Sequence, residues 1–149
     1  MPARPPEKVT PQSLNDYLEI MSKSVFRAGM SWKVIENKWP GIREALRGFD
    51  IHAVASLHEE DIEDLMEDTR VVRNFRKLTA IVANAQRILE LDEEYGSFQN
   101  YLRSQGDFDA TLKAMRGDFK FMGPTGIYVF LYVVGEDVIP HDEFEELYR

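Results

Sequence analysis

The chain has 149 residues, 44% of them hydrophobic, and its 18 Lys and Arg against 26 Asp and Glu leave a formal net charge of −8. That length supports one domain with one sizeable core, and the lack of cysteine excludes disulfides and thiolate metal sites. No stretch reaches the length of a membrane span, Met-Pro-Ala-Arg-Pro-Pro has no signal-peptide core, and the acidic balance excludes indiscriminate binding to nucleic acid, so a soluble, cytoplasmic protein is expected.

Residues 1–9, rich in proline and charge, are expected to form a flexible tail ahead of a helical domain over 10–149. Thr10 before Pro11 reads as a helix start, and Leu14, Tyr17, Leu18, Met21 and Val25 recur at helical spacing until Gly29. Ser31 is placed to cap a short helix containing Trp32, Val34 and Ile35, which Pro40 should break; Ile42 to Leu46 then makes one or two turns. Asp50 opens another short helix, and the run after His58 a further one whose acidic first turn suits the helix dipole. The longest helix is expected between Val71 and Leu91, with Leu78, Ile81, Val82, Ala85, Ile88 and Leu89 as its apolar stripe. Ser97 caps a short helix through Leu102, and Gly106 follows. No alternating run demands a strand, since Ile127 to Val134 is β-rich by propensity but starts at Gly-Pro, and the expected fold class is all-α.

The stretch from Asp107 to Phe144 organises the rest. A short helix carrying Leu112 and Met115 stops near Gly117, a tight apolar turn runs from Phe119 to Gly123, and a second helix begins near Pro124 and is closed by Gly135, a helix-hairpin-helix unit at about 107–135. Outward backbone N–H groups of such a hairpin, with the positive end of the second helix, hold a phosphate without a basic side chain. Lys120, Phe121, Met122, Gly123 and Thr125 are therefore the candidate backbone-binding residues. Arg73 and Arg76, in a run with Arg70 and Lys77, are candidates for a local positive face, the alternative being an ordinary solvated helix face. Asp142, just past the second helix, brings an acid back toward the hairpin; its alternative is to cap a C-terminal helix over 143–148.

The order of hairpin, Gly123-Pro124-Thr125, apolar helix ending in Gly135 and then Ile139-Pro140-His141-Asp142 resembles the helix-hairpin-helix DNA glycosylase superfamily, whose members carry a catalytic aspartate at that point. Upstream, Phe26-Arg-Ala-Gly-Met-Ser-Trp32, the turn Gly48-Phe-Asp50, Val71-Val-Arg-Asn74 with Arg76-Lys77, and Asn84-Ala85 resemble the 3-methyladenine DNA glycosylase I family; the similarity spans roughly Tyr17 to Phe144. The resemblance implies a compact two-lobed helical domain and a monofunctional enzyme of base-excision repair. Such an enzyme hydrolyses the N-glycosidic bond of alkylated purines in double-stranded DNA, with no cofactor and no obligate protein partner. A base turned out of the duplex would stack on Trp32 with Ser24 and Tyr128 in the pocket, and Asp142 would act at the sugar. Packing within the core is the other reading for Trp32 and for Tyr128.

Ser24 and the zinc ligands depart from the family's pattern, and Pro124 from that of the bifunctional members of the superfamily. The glutamate that contacts the extruded base, eight residues before the tryptophan, is Ser24 here, so the negative charge that favours a cationic methylated purine is missing from that site. Of the two Cys and two His that hold the family's zinc only His141 has a counterpart, and no metal site is expected. Pro124 stands where bifunctional members carry their lysine, which excludes Schiff-base chemistry there. The rivals are a non-catalytic helix-hairpin-helix DNA-binding module and a helical protein-interaction domain.

Overall fold

The computed structural model describes residues 5–148. In chain order these form α1 (Leu14–Arg27), α2 (Trp32–Ala45), a 3-10 turn (Arg47–Phe49), α3 (Ile51–Ala55), α4 (Glu59–Leu65), α5 (Phe75–Tyr95), α6 (Phe98–Arg103), α7 (Phe108–Asp118), α8 (Pro124–Val133) and α9 (His141–Tyr148). The fold is all-α, and no strand occurs among the described residues. Helix α5 packs on α1, α3, α4 and α6, while α1 also meets α2 and α8. Thus α2 to α4 gather at one end, α6 to α8 at the other, and α1 with α5 belong to both. A single cluster of buried side chains runs through the two ends, from Trp39, Phe49 and Leu65 to Phe98, Leu112 and Phe130.

Most helix starts follow from short polar caps. The side chains of Ser31, Asp50, Ser97 and Asp107 accept backbone N–H groups in the first turns of α2, α3, α6 and α7. At the other ends, Gly96 and Gly135 take the left-handed conformation, φ 84° at both, which turns the chain away after α5 and α8.

Three boundaries differ from the sequence reading. Thr10 and Pro11 lie outside α1, which begins at Leu14; Gln12 instead donates its N–H to Asp16, 2.7 Å away. Pro40 does not break α2, because it sits on the exposed side where the carbonyl it leaves unpaired meets water, while buried Ile35, Trp39 and Ile42 hold the helix on either side. Residues Val71 to Asn74 precede α5 as an irregular turn, and α5 starts only at Phe75, its Lys77 N–H bonded to Asn74 Oδ1. Between α2 and α3 the chain takes three successive left-handed residues, Arg47, Gly48 and Phe49, at φ 60°, 65° and 57°. The ring of Phe49 is fully buried and stacks on Trp39 at 5.2 Å, so core packing offsets the conformational cost at the two non-glycine positions.

Candidate active site and nucleic-acid interface

The turn between α7 and α8 is built from both sides of the surface. Phe119 and Met122 are buried, and between them Lys120 and Phe121 are exposed. Phe121 reverses the chain at φ 56°. The turn is held from below by Asn84, a fully buried amide on α5: its Nδ2 donates to the Lys120 carbonyl at 3.0 Å and its Oδ1 accepts the Lys120 N–H at 2.8 Å. The end of α7 is tied down separately, because Asp118 accepts from Arg87 at 2.8 Å and from the Tyr101 hydroxyl at 2.5 Å. Burial, then the Asp118 hydrogen bond, pushes the Tyr101 phenol far above its ordinary range, so it remains a donor. At the far side Gly123 caps α8 and Pro124 fills its first turn; the Ile127 N–H reaches back to the Gly123 carbonyl at 3.0 Å. The amides of Thr125 and Gly126 precede that first helical bond and belong to the orphan donors of a helix start, the geometry that favours a phosphate oxygen.

The expected positive face is smaller than its four cations imply. Arg73 and Arg76 are exposed, and Arg76 lies 6.0 Å from the Phe121 ring centroid, which joins it to the hairpin. Arg70 is taken by Asp68 at 2.6 Å and Glu44 at 3.0 Å, and its hydrogen bonds hold the Asp68 carboxyl down to about 2. Lys77 is buried and donates to the carbonyls of Phe26 and Ala28, at 3.2 and 2.6 Å, so it closes the C-terminal end of α1 instead of facing solvent; burial lowers its pKa.

Ser24 and Trp32, eight residues apart on different helices, line one cleft of about 320 Å³. Its walls come from α1, α2 and α8, the last through Val129 and Val133, and from Pro6, Glu7 and Val9 of the N-terminal segment. Trp32 is half-buried, with the Arg27 guanidinium 4.8 Å from its ring centroid. The Ser24 hydroxyl donates to the Gly126 carbonyl at 3.2 Å. This contact exists because α1 and α8 approach closely: a Cβ on Gly126 would stand 3.6 Å from that of Ser24. Trp39, in contrast, is in the core, its indole N–H bonded to Glu19 at 2.8 Å.

Tyr128 does not share this cleft. Its ring packs against Phe108, His141 and Phe144, and its hydroxyl donates to the Ile139 carbonyl at 2.6 Å, which pins the return of the chain after α8. Burial, then the nearby Tyr132 and Asp142, raises its phenol above the ordinary value. Asp142 is exposed in the first turn of α9, where it accepts the Glu143 N–H at 3.0 Å, and it is not among the residues lining the cleft of Ser24 and Trp32. The zinc that the resemblance implies has no donor set: His141 pairs with Glu145 at 3.7 Å, and the described residues contain no group of three His, Cys, Asp or Glu suited to an ion. Among the described residues no helix is long and apolar enough to cross a membrane.

Asn84 and Lys77 enter the sequence reading only through the family-like runs and, for Lys77, the basic run; their structural roles come from the fold. Both leave a signal, since each interrupts or adjoins the apolar stripe of α5, next to Leu78 and between Ile81 and Ile88. A buried polar side chain in such a place needs a partner, and here the partners are the backbone of the hairpin and the end of α1.

A helix-hairpin-helix carried on an all-α frame, with an aromatic-walled cleft against the second hairpin helix, defines a DNA glycosylase of the helix-hairpin-helix type. A sequence model of the family described as methyladenine glycosylase matches residues 9–116, and the chain belongs to that family and is a DNA N-glycosylase. It is similar to DNA-3-methyladenine glycosylase 1 of Escherichia coli (strain K12), 28% identical with 73% of this chain and 70% of that protein covered, and to DNA-3-methyladenine glycosylase of Haemophilus influenzae at the same values. Among solved structures it superposes on 3-methyladenine DNA glycosylase I from Staphylococcus aureus with a TM-score of 0.77 and 26% identity, covering 91% of this chain and 84% of that one. A variant of 3-methyladenine DNA glycosylase I solved in complex with 3-methyladenine matches equally well, with a TM-score of 0.77, 26% identity and 91% and 85% coverage.

Proposed function

We propose that the protein excises alkylated purines, 3-methyladenine foremost, from double-stranded DNA by hydrolysing the N-glycosidic bond, as the first step of base-excision repair in the cytoplasm. The observation that carries this reading is the single cleft formed by Ser24 and Trp32 on the frame of a family whose relatives are named for that base. Lys120 to Gly123 and Thr125, with Arg73 and Arg76 beside them, hold the DNA backbone through amide groups and a few cations. The extruded base lies on Trp32, whose stacking contributes about 1 to 3 kcal/mol, and donates a hydrogen bond to the Ser24 hydroxyl oxygen, whose own proton goes to the Gly126 carbonyl. Asp142 serves the sugar: as the bond to the base breaks, positive charge gathers on the anomeric carbon, and a carboxylate stabilises it and orients the attacking water. Pro124 stands where bifunctional members carry their lysine, so no Schiff base forms from that position and the product is an abasic site with the strand intact.

The test is release of free base from methylated duplex DNA by the wild type and by Asp142→Asn. Release by the wild type, reduced about a hundredfold in the variant, is the expected result. Equal release by the two removes Asp142 from the mechanism and leaves the enzyme standing. Salt-dependent duplex binding with no release by the wild type favours a DNA-binding module instead, a reading for which Ser24 and the net charge of −8 speak.

A further inference from the structure

Resting on the cleft of Ser24 and Trp32 as the place where the base is held, we propose that Glu7 supplies the charge that selects a cationic base. Three ionisable side chains line this cleft: Glu7, Lys23 and Glu36. Lys23 and Glu36 form an ion pair at 3.6 Å, and the Lys23 ammonium also lies 5.2 Å from the Trp39 ring centroid, so these two charges largely cancel toward a bound base. The hydroxyl of Ser24 is directed to the Gly126 carbonyl and offers the base an acceptor lone pair but no charge. Glu7 has no ion-pair partner among the described residues.

The segment that bears Glu7 is fixed on α8. The Val9 N–H donates to the Val133 carbonyl at 2.7 Å, and the Lys8 ammonium sits 4.9 Å from the Tyr132 ring centroid. Lys8 goes to Tyr132, whereas Pro6, Glu7 and Val9 border the cleft. Glu7 lies before the span that the family model matches.

The chemistry gives Glu7 a definite part. A purine alkylated on a ring nitrogen while still joined to the sugar is a cation, and an unmodified purine is neutral, so a carboxylate at the cleft wall favours the lesion. As the glycosidic bond breaks, the positive charge passes from base to sugar. Glu7 therefore assists capture of the extruded base and not the bond-breaking step. Because Glu7 is exposed, water and salt screen it, and its effect is about tenfold and not thousandfold.

Single-turnover release of 3-methyladenine from methylated duplex, measured across protein concentration for the wild type and for Glu7→Gln, Glu7→Asp and Glu60→Gln, tests this; Glu60 is a carboxylate of α4 outside the cleft. Glu7→Gln should raise the half-saturating concentration about tenfold at low salt, with the maximal rate not lowered and the affinity for undamaged duplex preserved. Glu7→Asp should recover most of the loss and Glu60→Gln should lack it. A Glu7→Gln protein that saturates like an active wild type, loses maximal rate instead, or is matched by Glu60→Gln overturns the role of Glu7 while leaving the glycosylase intact. No release by the wild type overturns the glycosylase reading and the role of Glu7 together.

Discussion

The hairpin between α7 and α8 and the cleft beside it lie on the same helix α8 yet are made in opposite ways. The hairpin is one contiguous run, 119–123, whose shape is imposed from beneath by a buried amide and by the anchored end of α7. The cleft is drawn from four separated parts of the chain, and its ionisable groups are partly exposed. A rigid grip joined to a sparsely charged pocket separates two tasks: holding any phosphate backbone, and choosing which base enters. Changes in the hairpin should therefore act on binding to all duplexes, and changes in the cleft on damaged duplexes alone.

The largest effect is expected at Asn84. Asn84→Ala leaves the Lys120 N–H and carbonyl without their partners, and should cost about 2 to 3 kcal/mol of stability by denaturant unfolding. It should also weaken binding to damaged and undamaged duplex alike. Loss of excision with unaltered duplex affinity would show that the hairpin does not act as a separate grip. Next comes Trp32→Ala, which removes the stacking surface. It should lower base release by about 1 to 3 kcal/mol in barrier, roughly five- to a hundredfold, while affinity for undamaged duplex is retained. The smallest effect belongs to Tyr128→Phe. Removing its bond to the Ile139 carbonyl should reduce stability by about 1 kcal/mol and leave excision unchanged; a selective loss of excision would return Tyr128 to the base pocket.

The same contrast decides what could be read from the amino acids alone. Helix order and the hairpin were open to inspection because their signals are local: Ser31, Asp50 and Ser97 as helix starts, Gly123-Pro124 as another, Gly135 as a stop. Local rules failed where a tertiary contact outweighed them, at Pro40, whose helix is held by Trp39 and Ile42, and at Val71 to Asn74, where Val71 is buried without being helical. Ser24 and Trp32 could be singled out through the run that resembles the family. That Glu7 joins them could not, because no periodicity links the N-terminal segment to Val133; only the folded chain brings them together. Arg70 and Lys77 show the limit for charges as well, since each is taken by a partner that lies 26 or 51 residues away in the chain.

Titrating free 3-methyladenine into isotopically labelled protein and following the backbone amide resonances addresses the central claim most directly. Saturable shifts centred on Ser24, Trp32, Val129 and Val133 are predicted, with the hairpin amides of Lys120 to Gly123 unmoved. Shifts centred instead on the separate groove at Arg103, Asp107 and Glu136, or none at all, would contradict it.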